Sequence, residues 1–369
     1  MNSIPNSAGF NLTGGKIGVL VLHGFTGSPV SIAPWANYLN TLGYTVSAPC
    51  LPGHGSSWQQ MNKTTWQDWY KAAEQELLEL QKKCDRVFIA GFSMGGALAL
   101  RLCQIRSSEI EGLLLLNPSI HDRRLFLKLT PLLKYFISSV KKGPTDIAAP
   151  NPIKHAYHRT PLKALDSLRK LWQIVERDLY LIDLPIMVAY SINDHAVDPE
   201  NSMTVIDNIF SVDIREVIFE NSYHNVALDY DCEQLNTESK LFIQEVLSGA
   251  LKRGGDFNET DLVDAEFDSI VSGLSLDESS PTTYLDELDG IYEAERFKPP
   301  NPHRFILNKN QRLSLVGLTS SLVYLLAYNL TDFEILGLWP VVIGVSASVA
   351  NLIWDTARKD DDYEDGASI

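Results

Sequence analysis

From residue 16 to about 250 the chain alternates short apolar runs with longer amphipathic ones, and few folds tolerate that rhythm. KIGVLVLHG, YTVSAPCLPG, RVFIAGFS, IEGLLLLNP, LPIMVAYSIND and IREVIFENSYH read as strands. They are dense in Val, Ile and Leu, as strands covered on both faces must be. Between them PVSIAPWANYLNTLGY, TWQDWYKAAEQELLELQKKC, GGALALRLCQIR, PENSMTVIDNIF and CEQLNTESKLFIQEVLSG carry helical spacing. Strand and helix in alternation predict an α/β fold with a doubly wound, mostly parallel sheet over residues 1–250.

Residues 120–180 break the rhythm. LFLKLTPLLKYFISSV and TPLKALDSLRKLWQIVERDL have helical spacing with no strong strand between them. An insertion this long between two strands is usually functional. A helical cap over the sheet's carboxyl end is the expectation, and an extra packing layer is the plainer rival.

The rest of the chain is a different material. Of the net charge of −15, much sits in residues 256–296, where thirteen Asp or Glu face one Arg. Such a segment has little core-forming power, so 251–311 reads as a disordered acidic linker. Two uncharged apolar runs follow, 313–330 and 335–354, and residues 357–369 form an acidic tail. Each run approaches the ~20 residues needed to cross a bilayer. Arg304, Lys309 and Arg312 precede the first, Arg358 and Lys359 follow the second, and the turn between holds Asp332 and Glu334. Over 312–356 this predicts a transmembrane helical hairpin with both flanks cytoplasmic, placing the protein in the cell membrane. Gly and Ser in both runs suit close helix packing. A soluble hydrophobic hairpin is the rival reading.

No secretory leader is evident, since MNSIPNSAGF lacks a basic stretch and an apolar core. Cys50, Cys84, Cys103 and Cys232 are widely spaced, with no CxxC pair, and read as free thiols in a reducing compartment. No Lys/Arg face points to nucleic acid. A GxxxxGK[ST] loop and an HExxH pair are absent, so no cofactor and no metal is expected.

Chemistry concentrates at Gly91-Phe92-Ser93-Met94-Gly95-Gly96. The G-x-S-x-G pattern is weak alone, but here it follows a strand and opens a helix, the context of a nucleophile elbow. Ser93 is therefore the candidate nucleophile. Acyl transfer also needs donors for a developing oxyanion. The turn His23-Gly24-Phe25-Thr26-Gly27 can present the Phe25 N–H, and the Met94 N–H is the second candidate. The acid and the base should follow in that order. Asp194 and Asp198 compete at the end of LPIMVAYSIND. Asp198 precedes Pro199 and Glu200 as a helix N-cap would, which leaves Asp194. His224, after the last strand, is the expected base. His23 and His54 read as turn residues, and His121, His155 and His158 fall in the insertion. His195 precedes the last strand, and His303 lies in the linker.

With these residues in order, the stretch 16–250 resembles the α/β-hydrolase family. HGFTGSP, LPGHG, TWQDWY, GFSMGG, INDHAVDP and YHNVALD are similar to bacterial carboxylesterases and monoacylglycerol lipases. The resemblance implies a serine hydrolase of carboxylic esters, with Ser93, Asp194 and His224 as triad and Phe25 and Met94 as oxyanion donors. The substrate it implies is a small acyl ester, lipid-derived in the lipase case, and the predicted tether near lipid suits monoacylglycerol or lysophospholipid. An aminopeptidase, thioesterase or acyltransferase on the same triad is the alternative, and a non-catalytic membrane scaffold a further one. The chain starts at the family's third strand, so the expected sheet lacks its antiparallel edge. The linker and hairpin lie outside the family pattern and look similar to small bacterial membrane proteins with an acidic tail.

Overall fold

A computed structural model describes residues 7–143, 145–150, 156–254, 313–314, 316–317, 319–321, 324 and 339–360. The chain divides into two units, Met1–Ser275 and Leu276–Ile369.

The first unit is built on a seven-stranded sheet. Its strands are β1 (Phe10–Leu12), β2 (Ile17–Leu22), β3 (Thr45–Ala48), β4 (Arg86–Phe92), β5 (Gly112–Leu116), β8 (Ile186–Ser191) and β9 (Ile214–Phe219). Their order is β1-β3-β2-β4-β5-β8-β9. All six expected strands are present and parallel to one another. The expectation of a missing antiparallel edge is wrong: Phe10 pairs with Ala48 and Leu12 with Val46, so β1 runs antiparallel to β3.

Residue alternation along each strand decides which layer it meets. In β2, Val19 and Val21 face one side and Leu20 and Leu22 the other. The valine side packs on α1 (Ala33–Thr41) and α8 (Cys232–Ser248) through Trp35, Leu39, Leu235 and Phe242. The Trp35 indole donates to Ser239 Oγ at 2.9 Å and ties those two helices. The leucine side packs on α3 (Trp66–Gln81) and α4 (Met94–Arg106) through Trp69, Leu77, Leu98 and Leu102. A short α2 (Trp58–Met61) precedes α3, and α7 (Glu200–Asn208) joins β8 to β9.

The insertion is a cap, with two departures from the helical expectation. α5 spans Leu125–Leu133 and stops well before Val140. Its continuation, Ser139–Lys141, is a strand, β6, paired antiparallel with β7 (Arg159–Pro161). α6 (Leu162–Arg177) follows. Asp166 of α6, its side chain 3% exposed, is held by Lys134 at 2.6 Å, which fastens the end of α5 to α6.

In the second unit, α9 spans Trp339–Asp360, and the described residues from 313 to 324 are helical. A Cβ on Gly317 would lie 2.3 Å from Ser348 Oγ, and one on Gly344 2.1 Å from Ser321 Oγ. Asn351 Nδ2 donates to Ser314 Oγ at 2.8 Å. The two apolar runs thus meet through small and polar residues. The expected transmembrane spans are not supported: no helix among the described residues is long and apolar enough to cross a membrane. Residues 325–338, and the expected linker from 255 and tail from 361, lie outside the described residues.

Candidate active site

The turn after β4 carries the nucleophile candidate. Ser93 has φ 56° and ψ −120°, a region that L-residues seldom occupy. The turn closes only because its flanking positions lack side chains. A Cβ on Gly91 would lie 2.5 Å from the Gly95 carbonyl oxygen, and one on Gly95 2.2 Å from that of Leu22. The Ser93 N–H donates to Leu116 O at 3.0 Å, and its carbonyl accepts from Ser119 N at 3.1 Å. The backbone is therefore fastened to the end of β5 while the hydroxyl stays free to face the cap.

That hydroxyl lies 3.1 Å from His224 Nε2, and His224 Nδ1 lies 2.6 Å from Asp194 Oδ2. An ionised carboxylate only accepts, so Nδ1 carries the proton and Nε2 accepts from Ser93. Asp194, with a side chain 1% exposed, also accepts from Ala196 N and Val197 N at 2.8 Å each through Oδ1. These bonds leave Oδ2 aimed at the imidazole. Asp198 instead accepts from Glu200 N at 3.0 Å, the local bond of a helix start.

The oxyanion-donor candidates sit beside Ser93. A Cβ on Gly24 would touch Ser93 Cβ at 3.1 Å, so the Gly24–Gly27 turn abuts the elbow. Phe25 and Met94 line the same cavity as Ser93 and His224. The Met94 N–H opens α4, where no helical acceptor exists. The cavity measures about 560 Å³ and is walled by the cap's Leu127, Val140, Leu165, Leu168 and Trp172.

The other histidines do separate work. His23 accepts from Leu51 N at 3.1 Å and donates to Gly24 O at 3.0 Å, linking the turn of Phe25 to the LPGHG loop. Burial holds its pKa down at about 4. His54 stacks edge-on against His23 and Trp69, at 4.9 and 5.4 Å between centroids. Burial, with the His23 charge second, holds His54 well below its usual range. His195 pairs with Asp146 at 3.0 Å. His121 is largely buried and His158 exposed, and His155 and His303 lie outside the described residues.

Four further residues shape the site without having stood out in the sequence. Asn117, at φ 42°, donates to the His224 carbonyl at 2.6 Å and accepts from Ser191 N at 2.8 Å. Its place at the end of GLLLL, a lone amide closing an apolar strand, was the available signal. Asp229 accepts from Tyr223 N and Ala148 N at 2.9 and 2.7 Å, joining the His224 loop to the cap. Asp146 does the same for the acid loop, accepting from His195 N at 3.0 Å. Lys142 reaches Thr26 Oγ1 at 2.8 Å. Nothing in the pattern KKGPTD announces the last two. Among the described residues no group of three or more His, Cys, Asp and Glu could hold a metal ion.

A doubly wound sheet with a strained serine elbow, a histidine and a buried aspartate at its carboxyl edge, and a cap above, defines an α/β-hydrolase. The pattern of the Hydrolase_4 family, described as serine aminopeptidase S33, matches residues 16–231, and the chain belongs to that family. It is 34% identical over 224 residues to a thermostable monoacylglycerol lipase of Bacillus sp. (strain H-257), covering 60% of this chain and 88% of that one. A carboxylesterase of Bacillus subtilis (strain 168) is 26% identical over 241 residues, covering 64% and 96%. Among solved structures, one from work on the metagenome-derived lipolytic enzymes LipS and LipT superposes with a TM-score of 0.64 at 31% identity, over 66% of this chain and all of that one. A monoglyceride lipase of Saccharomyces cerevisiae shares the fold, with a TM-score of 0.56 at 17% identity over 64% and 91%.

Proposed function

We propose that this protein, a carboxylic ester hydrolase, cleaves monoacyl esters through Ser93, His224 and Asp194. The observation that carries the reading is the continuous chain Ser93 Oγ–His224–Asp194, at 3.1 and 2.6 Å, opening on a largely apolar cavity. His224 Nε2 takes the Ser93 proton as Oγ attacks the acyl carbonyl. Asp194 holds the imidazolium without accepting the proton. The Phe25 and Met94 N–H groups receive the oxyanion, each donor worth ~3 kcal/mol in the transition state. The alcohol leaves with the proton from His224, and water, deprotonated by the same imidazole, releases the acid. The cap's Leu127, Leu165, Leu168 and Trp172 give an acyl chain its apolar wall. The names of the Bacillus relatives, a monoacylglycerol lipase and a carboxylesterase, support this substrate class.

The test is hydrolysis of p-nitrophenyl esters and of monoacylglycerol by wild type and Ser93→Ala. The variant should lose about 10⁴-fold or more in kcat and resist labelling by a fluorophosphonate. Equal rates would remove Ser93 from the chemistry. The family's description as serine aminopeptidase motivates a parallel assay on aminoacyl anilides. Faster turnover there than on esters would move the reading to amide cleavage.

A further inference from the structure

The cavity wall above Ser93 is not uniformly apolar. Five charged side chains of the cap and its base line it: Asp122, Arg124, Lys142, Asp146 and the exposed Lys141. Three of them are satisfied locally. Arg124 Nε meets both oxygens of Asp122, at 2.9 and 2.8 Å. Asp146 is engaged by the ring and the backbone N–H of His195, both at 3.0 Å.

Lys142 differs. The only hydrogen bond of its ammonium among the described residues goes to the neutral Thr26 hydroxyl, at 2.8 Å. An ammonium has three protons to donate, and no carboxylate pairs with this one among the described residues. The residue is half-buried, and loss of water around its ammonium pulls its pKa down to about 8. A partly desolvated cation with one neutral partner is incompletely compensated. It also lies close to the reacting centre. Thr26 follows Phe25, and the same turn abuts Ser93 at Gly24. The turn is held against the cap a second time, by Tyr157 N donating to Thr26 O at 3.0 Å, so Lys142 is not needed alone to keep the cap in place.

We propose that Lys142 is an anion subsite of the reaction cavity, and that the preferred substrate is a monoacyl ester whose alcohol part bears a phosphate. The proposal rests on the ester-hydrolase reading above. The acyl chain lies along Leu165, Leu168 and Trp172, and the phosphate takes the free donors of Lys142, with the exposed Lys141 adding positive charge. The bond broken is unchanged: Ser93 Oγ–acyl forms, acyl–alkoxide breaks, and the glycerophosphate leaves as an alcohol with the proton from His224. Lysine suits this role as a compact point charge for phosphate.

The experiment compares kcat/KM on 1-oleoylglycerol and on 1-oleoylglycerol 3-phosphate, both as monomers, for wild type, Lys142→Met and Lys142→Arg. Wild type should hydrolyse the phosphate ester at least as well as the neutral one. Lys142→Met should lower the ratio of phosphate to neutral kcat/KM by about tenfold or more, the scale of a lost charged hydrogen bond. Lys142→Arg should restore most of that ratio. A structural role would lower both rates together and leave the ratio unmoved, which overturns the subsite. So does a wild type that disfavours the phosphate ester tenfold. Failure of wild type to hydrolyse either ester would instead overturn the ester-hydrolase reading itself.

Discussion

Asn117 joins three strand ends with one side chain. Its side-chain amide nitrogen holds the His224 carbonyl and its amide oxygen takes the Ser191 N–H, while its backbone N–H donates to Ala189 O at 2.8 Å. It touches no reacting atom, so its effect reaches the chemistry through the position of His224. Asn117→Ala should lower kcat by about 10-fold to 100-fold with little change in KM, because a displaced base impairs proton transfer more than binding. It should also destabilise the domain by ~1–3 kcal/mol, since the Ser191 N–H is left buried and unpaired. Unchanged kcat in a folded variant would remove Asn117 from the positioning of the base. At this scale the sequence named the candidate residues that the structure brings within hydrogen-bond reach of one another. Ser93, Asp194 and His224 stood at chain positions where strand ends become loops, and such ends are the places a parallel sheet brings together. Asn117 and Lys142 were illegible for a different reason: their roles depend on partners 107 and 116 residues away in the chain.

The elbow is an element-level device. α4 can start directly after β4 only if it nests against the end of β2, and Gly95 is where they meet. Gly95→Ala puts a methyl carbon 2.2 Å from a backbone oxygen of β2, where neither strand nor helix can yield cheaply. The variant should lose ~3 kcal/mol or more of stability and most of its activity. Chemical denaturation and ester hydrolysis would check both, and a Gly95→Ala protein as stable and active as wild type would show that the elbow relaxes. Elements of ordinary length were legible because burial on two faces writes itself into composition. β1 and the β6–β7 pair were not. Each is three residues long, too short for a period of two to register. β6 also continues the apolar pattern of α5, so LFLKLTPLLKYFISSV reads as one helix. Gly/Asn turn chemistry around FNL hid the edge strand in the same way.

For the whole molecule, the two-unit division falls within the acidic stretch that composition marks, at Ser275. The uncharged runs beyond it were legible as helices over their described residues, and no helix among the described residues is long and apolar enough to cross a membrane. The stability of the first unit carries a pH signature that its core histidines set. His23 and His54 are buried and neutral, with His23 held at about 4 and His54 well below its usual range. In the unfolded chain both titrate near 6.5. Above that pH neither state binds the proton, and stability is insensitive to them. As pH falls below 6.5 the unfolded chain takes up protons the folded one refuses, so the folded state loses ground. The contribution of His23 flattens once pH passes below about 4. By pH 5 each such histidine should have removed about 2 kcal/mol, a large share of the ~5–15 kcal/mol typical of a domain. Buried carboxylates with lowered pKa, Asp166 and Asp231, act only below their unfolded value near 4, so the window from 6.5 to 5 isolates the histidines. Urea denaturation across that window should show a steep fall for wild type. His54→Gln keeps a polar side chain and removes one titration, and its slope should drop by roughly half. An equal slope in the variant would mean that His54 is protonated without penalty in the folded protein, and that the stack of His23, His54 and Trp69 beneath the Phe25 turn does not exclude charge.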